Sequence, residues 1–235
     1  MLNIEAYASG STGNLYTLSD GTATIMLDCG LPVRKIQQLT GFTLPNALLV
    51  THEHGDHSHA VTGLQRLGVD AYMTQGTAEA IGALGHRTKI VEYNHSYRLT
   101  DRITASVFKT QHDVREPCGF IVQDSDDKVL YATDTYYIKY QFPGLTKIMI
   151  EANHSYKILA ENVRAGRLHP AQERRLIKSH FSVENVLDFL ATNDLSMLKE
   201  IWLIHLSAGN ADPVEFKRLV AAATGKPVYI AGGGG

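Results

Sequence analysis

Residues 48–60 read LLVTHEHGDHSHA, and six consecutive positions of that stretch hold His52, His54, Asp56 and His57. Imidazole and carboxylate are donors that zinc and related divalent cations accept, and HxHxDH spacing places four of them on one short segment. A catalytic zinc takes about three protein ligands and keeps a position open for water. Further donors must therefore come from elsewhere in the chain. Three other β-type runs carry them at their ends: FKTQHD holds His112, LYATDTYY holds Asp134 and WLIHLS holds His205. Seven ligands exceed the needs of one tetrahedral ion but suit two divalent ions sharing a bridging carboxylate, about 3.5–4 Å apart. The rival to this metal reading is a solvated, histidine-rich turn.

The donors are placed by the elements around them. Short β-type runs dominate the first half (LNIEAYA, NLYTL, TIMLDC, NALLVT, DAYMT, KIVEY, ITASVFKT, GFIVQ, KVLYAT and KIMIE), each bounded by Gly, Asp, Asn or Pro. Helical periodicity predicts helices over 33–39, 59–67, 77–85, two between about 156 and 178, then 183–192 and 213–224. Asp212 is placed to cap the last of these, with Pro213 in its first turn. Strands over 200–206 and 227–231 complete the pattern. It reads as an α/β fold of mixed sheets covered by helices, with neither an internal repeat nor a Pro/Ser-rich linker, hence one domain over 1–235.

Composition agrees with a globular chain: 235 residues, 44% apolar, formal net charge −2. Such a balance excludes coating nucleic acid or anionic membrane by bulk charge, though not a local basic patch. Cys29 and Cys118 stand in neither a CxxC nor a zinc-ribbon spacing and read as buried small hydrophobes in a reducing compartment. No basic, apolar leader opens the chain, and no segment reaches the roughly 18 apolar residues that span a bilayer. The expectation is a cytoplasmic protein without a membrane partner, ending in a GGGG tail that has no side chains to pack.

The donor set resembles that of the metallo-β-lactamase fold superfamily over almost the whole chain. The resemblance implies an αββα sandwich of two mixed β-sheets flanked by helices. It assigns His52, His54 and His112 to one metal, Asp56, His57 and His205 to a second, and Asp134 to the bridge between them. Asp28, in IMLDCG, matches an early aspartate that supports the ligands from behind, and SGSTGN resembles a loop entering the second strand. The metals are expected to be two divalent ions, Zn2+ first, with Mn2+ or Fe as alternatives.

Two further segments, KIMIEANHS and IKSHFSVEN, supply Glu151 and His180. They resemble elements of the ribonuclease Z branch, in which the histidine faces the scissile phosphate and the glutamate holds it. A neighbouring carboxylate favours imidazolium, as a proton donor near neutral pH requires. The implied catalytic set is Asp56, orienting the attacking water, with His180 and Glu151. A thioester hydrolase of the glyoxalase II type would share the metal motif but not Glu151 and His180. A di-iron redox protein would need a flavin module as well. A nucleotide-sequestering binding protein is the non-enzymatic alternative.

Within that branch the elements ATDT, IEAN, SHFS and IHLS resemble small phage and bacterial proteins of two kinds. One kind is the anti-Pycsar cyclic-nucleotide phosphodiesterases of phages, the other metal-dependent DNA exonucleases. The first gives the expected function, hydrolysis of 3′,5′-cyclic nucleotides to linear monophosphates, with a homodimer implied by analogy and host cytoplasm as the site of action. The second, with nucleic acid as partner, is the alternative. Lys157, Arg164, Arg167, Arg174, Arg175 and Lys178 form a solvated face, a phosphate-gripping lid or a nucleic-acid track. Ser182, Tyr136, Arg174 and Arg175 are the candidate substrate contacts. His59, His86, His95, His154 and His169 have no assigned role, although His154 lies close in sequence to Glu151.

Overall fold

The computed structural model describes residues 1–232, so Gly233–Gly235 of the terminal glycine run lie outside the described residues. Two mixed β-sheets flanked by helices make up the fold. The chain divides into two compact units, Met1–Lys109 with Val114–Lys128, and Thr110–Asp113 with Val129 onward.

In the first unit the elements run β1 (Asn3–Ala8), β2 (Leu15–Ser19), β3 (Thr24–Leu27), α1 (Val33–Leu39), β4 (Ala47–Leu49), α2 (Gly55–Ser58), α3 (Val61–Arg66), β5 (Ala71–Met73), α4 (Gln75–Ala80) and β6 (Thr88–Ile90). These six strands form one sheet in chain order, antiparallel from β1 to β3 and parallel from β3 to β6. Three more strands, β7 (Ser96–Arg98), β8 (Thr104–Lys109) and β9 (Cys118–Gln123), pair antiparallel in turn. Leu15, Met26, Leu48, Val50, Val61 and Leu64 pack as the core between the parallel strands and the helices that cover them. The parallel arrangement directs the C-terminal ends of β3 and β4 to one edge, where Asp28 and the HxHxDH turn follow.

The helix expected over 59–67 is instead two short helices, the first beginning inside the histidine motif. Tertiary hydrogen bonds take the backbone groups a continuous helix would use. Cys29 N donates to His57 O at 2.7 Å, Asn14 N to Asp56 O at 2.8 Å, and Ala60 N to Cys29 O at 3.0 Å. The break follows from those partners. β7 was not expected, because its three residues are partly or fully exposed and carry no apolar alternation.

The second unit is built on β10 (Lys128–Ala132), β11 (Lys147–Glu151), α5 (Tyr156–Arg164), α6 (Pro170–Ser179), α7 (Val183–Thr192), β12 (Glu200–Ile204), α8 (Pro213–Thr224) and β13 (Val228–Ile230). Its strands are parallel in chain order. KIMIE is buried at every position, the mark of a strand covered on both faces. Helices open where the sequence supplies caps: Ser155 accepts from Ile158 N, His169 forms a capping box with Gln172, and Asp212 accepts from Val214 N and Glu215 N ahead of Pro213. Register places Ala132 opposite Ile150 and Glu151 opposite Ile204. Asp134, Glu151 and His205 thus leave the same edge of three neighbouring strands.

Cys29 and Cys118 are buried free thiols, and burial pushes both above the ordinary thiol range. Among the described residues, no helix is long and apolar enough to cross a membrane.

Candidate metal centre

The first unit gathers His52, His54, Asp56 and His57 on the turn from β4 into α2. The His52 ring lies 4.9 Å from that of His54 and 4.2 Å from that of His57, centroid to centroid. Rings this close repel one another as cations and suit neutral, ligating imidazoles. Asp28 organises the cluster from below: Oδ2 faces His57 Nδ1 at 2.8 Å, while Oδ1 accepts from Thr51 N at 2.8 Å. Thr51 Oγ1 donates to Asp28 and lies 3.0 Å from His52 Nδ1. Asn14 Nδ2 lies 3.0 Å from His57 Nε2 and 3.4 Å from an Asp56 carboxylate oxygen.

The second unit gathers His112, Asp134, Glu151, His180 and His205. Asp134, Glu151, His180 and His205 each offer a donor atom within 4.8 Å of the others. His112 Nε2 lies 3.5 Å from Asp134 Oδ2, and His112 Nδ1 donates to the Ser179 carbonyl at 2.8 Å. Glu151 is fully buried. Its Oε1 takes His180 Nδ1 at 2.6 Å and His205 Nδ1 at 3.0 Å, and its Oε2 accepts from the backbone N–H groups of Thr135 and Phe181, each at 3.0 Å.

The donor chemistry fits divalent metal. In His57, His112 and His205 the Nδ1 is turned to an oxygen acceptor, and His52 Nδ1 meets a hydroxyl already donating to Asp28. That pattern leaves Nε2 as the basic nitrogen of each ring, the second-layer arrangement of ligating histidines. Backbone conformation is spent at the same places. Asp28, Asp134 and His205 hold φ of 53°, 37° and 53°, a left-handed region that Asp and His tolerate better than most residues and that clusters at functional sites.

Electrostatics separate the second unit's groups. Burial alone would raise the Glu151 carboxyl, but the facing His180 charge and the bonds from His180 and His205 outweigh it and hold the group at about 2. Burial lowers His180, yet Glu151 outweighs that penalty and leaves the imidazole above its ordinary value. Burial keeps His112 below its ordinary value despite Asp134. The same unit therefore pairs a histidine biased to the charged form with one biased to the neutral form.

The candidate substrate contacts fall out differently. Tyr136 is 40% exposed, and its carbonyl accepts from Asn185 Nδ2 at 3.2 Å. Ser182 is fully buried and uses its Oγ to cap α7 by accepting from Asn185 N. Arg174 is exposed, while Arg175 Nε reaches Asp113 Oδ2 at 3.2 Å. His154 is buried with no hydrogen-bond partner at either ring nitrogen, and burial lowers it to about 4. Asn14, Thr51 and the Ser179 carbonyl went unrecognised in the sequence. SGSTGN was a signal for the first, and nothing in the sequence marked a backbone oxygen as a histidine's partner.

A family described as Beta-lactamase superfamily domain matches residues 23–205. Exodeoxyribonuclease WalJ of Streptococcus pneumoniae serotype 2 (strain D39) is 29% identical over 221 residues, covering 86% of this chain and 81% of that protein. Exodeoxyribonuclease YycJ of Bacillus anthracis is 28% identical over 225 residues, covering 89% and 84%. Among solved structures, the metallo-β-lactamase fold protein YhfI from Bacillus subtilis is similar with a TM-score of 0.76 at 16% identity, covering 100% of this chain and 97% of that one.

Proposed function

The chain belongs to the β-lactamase superfamily and is a metal-dependent hydrolase of the metallo-β-lactamase fold, and on that premise we propose that the bond it cleaves is a phosphodiester. The observation that carries this reading is the buried Glu151–His180 pair at 2.6 Å, on the same strand edge as Asp134 and His205. A thioester hydrolase has no need of a charged imidazole beside its metal ligands. A phosphodiesterase does, because its leaving alkoxide needs a proton.

In this reading His52, His54, Asp56 and His57 of the first unit, and His112, Asp134 and His205 of the second, would be the donors to divalent metal. Bound divalent ions supply Lewis acidity toward phosphoryl oxygens and lower the pKa of water. The chain's own groups do the rest. Asp56 would orient the attacking water and take the proton that the water loses. With Nδ1 held by Glu151, His180 presents Nε2 as the proton-bearing atom. As the new P–O bond forms and the old one breaks, the Nε2 proton passes to the departing oxygen.

For the substrate we favour a 3′,5′-cyclic nucleotide opened to a linear monophosphate, with the chain acting as a homodimer. The basic segment supports a small substrate over a long one. Arg164 Nε donates to the Ala160 carbonyl, Arg167 Nε to Asn162 Oδ1 and Arg175 Nε to Asp113, so three of its guanidinium groups already spend one donor within the protein. A track along a polynucleotide needs such groups for phosphates. The second reading, exonuclease action on DNA ends, is favoured by the names of the relatives from S. pneumoniae and B. anthracis.

The deciding experiment is chromatography of products after metal-loaded protein meets cyclic CMP, UMP, AMP and GMP beside 5′-phosphorylated duplex DNA, with His54→Ala and chelated protein as controls. Linear monophosphates with intact DNA support the first reading. Shortened DNA with untouched cyclic nucleotides establishes the second, and no phosphodiester cleavage in any arm removes both. Sedimentation velocity on the same preparation checks the dimer.

A further inference from the structure

The two segments that carry the Glu151 contacts also line a cavity of about 330 Å³ within the second unit. One segment runs on from Thr135, whose N–H bonds Glu151, to Tyr137 and Tyr140. The other runs from His180 to Phe181, whose N–H bonds the same carboxylate. The volume is at the low end of the roughly 300–1,000 Å³ typical of small-molecule sites.

Its walls are aromatic and graded in exposure. Phe181 and Phe189 are buried at 2% and 5%, Tyr140 is half-buried, and Tyr137 stands 56% exposed. Phe142 backs the wall, 6.0 Å from Tyr140 and 6.5 Å from Phe189 between ring centroids. Flat aromatic surfaces of this kind accept a planar heteroaromatic ring by stacking.

The polar groups are few and unequal. Asn185 is committed on both sides of its amide, Nδ2 to the Tyr136 carbonyl and Oδ1 to the Tyr156 hydroxyl, each at 3.2 Å. Lys139 lies over the Tyr140 ring, with Nζ 5.2 Å from its centroid. Asp188, an exposed residue, also lines the cavity, and a carboxylate only accepts.

We propose that this cavity takes the base of a nucleotide ligand and that Asp188 selects bases bearing an exocyclic amino group, namely cytosine, adenine or guanine, over uracil and thymine. The assignment rests on the phosphodiester reading for the nature of its ligand. A carboxylate accepts from the amino group of cytosine and meets only a carbonyl oxygen at the same place on uracil. CMP and UMP, nearly equal in size and charge, therefore form the discriminating pair.

The test is NMR titration of the full chain, without added metal, with CMP and with UMP, following transfer from base protons to the Phe189 and Tyr140 rings. CMP is expected to bind about fivefold more tightly than UMP, the low end of specific base readout because Asp188 is solvent-accessible. Asp188→Asn should abolish that preference, and Tyr137→Ala should weaken both nucleotides alike. Equal affinity for CMP and UMP in the wild type would overturn the proposal. So would a preference that survives Asp188→Asn, or base protons that show no contact with the two rings. Hydrolysis of bis(4-nitrophenyl) phosphate by the metal-loaded wild type is measured in parallel. Its absence counts against the phosphodiester reading alone, since the nucleotide titration needs no turnover.

Discussion

Glu151 Oε1 is shared by two histidines, standing 2.6 Å from His180 Nδ1 and 3.0 Å from His205 Nδ1. One buried oxygen thus orients both the proposed proton donor and a proposed metal ligand, whose ring planes lie 15° apart at a centroid distance of 5.7 Å. The carboxylate's other oxygen is held by two backbone N–H groups, which fixes its position.

Because of that sharing, two substitutions separate what the carboxylate does. His180→Ala removes the donor and leaves the orientation of His205 intact, so kcat should fall by about 10²–10⁴ with metal content unchanged. Glu151→Gln disturbs both histidines and should lower kcat and metal affinity together. Elemental analysis alongside turnover checks the pair, and a His180→Ala protein stripped of metal would contradict the assignment.

Asp28 holds His57 and Thr51 from beneath the HxHxDH turn with both carboxylate oxygens. Asp28→Ala should weaken metal binding by about 10–100-fold, the usual effect of deleting a ligand's supporting carboxylate. It should also cost about 1–3 kcal/mol of stability, because buried donors lose their acceptor. Competition with a chromophoric chelator and urea unfolding measure the two effects.

Gly30 is required by a close approach. A Cβ built there would fall inside the Asp56 backbone carbonyl and meet Asn14 N at 2.8 Å, whereas one built at Gly85 meets nothing within 4 Å. Gly30→Ala must therefore push the metal-binding turn outward, at a cost of about 1–3 kcal/mol. Gly85→Ala should remain near wild type. Thermal unfolding with and without added Zn2+ would show a reduced metal-induced shift only in the first variant.

Asp20 gives a pH-dependent contribution through the turn between β2 and β3. Its carboxylate accepts from the Thr22 hydroxyl at 2.7 Å and from Ala23 N and Thr22 N, each at 2.8 Å, and these bonds lower its pKa to about 2. A folded-state value below the unfolded one near 3.8 means stability that is present above that value and lost as pH falls through about 2. Asp20→Asn should cost about 0.5–1 kcal/mol at neutral pH. The difference between the two proteins should shrink between pH 4 and 2 on this account. Urea midpoints across that range test it.

Strong periodicity made much of the fold legible. The helices over 33–39, 183–192 and 213–224 begin and end as the sequence implies, with Asp212 and Ser182 as their polar caps. β7 escaped notice because three polar residues on an edge carry no alternation. The histidine motif announced donors, but the helix read over 59–67 is broken into two, since Cys29 and Asn14 compete for backbone groups that a local reading assigns to the helix itself.

The sequence by itself pointed to the kind of chemistry: imidazoles and carboxylates at the ends of apolar runs, a donor set that suits divalent metal. Glu151 and His180 were set apart from those donors only by the resemblance of KIMIEANHS and IKSHFSVEN to a family, and their separate role is a proposal. Tertiary structure alone decided which nitrogen is basic in His57, His112 and His205, because the partner that sets the tautomer is distant in the chain. Asp28 lies 29 residues from His57, Ser179 lies 67 from His112, and Glu151 lies 54 from His205. A hydrogen bond across such separations depends on strand register and helix placement, and residue types alone do not encode it locally. The same holds for Ser182. Its sequence neighbourhood suggested a substrate contact, while its burial and the α7 N-terminus give its hydroxyl a capping role.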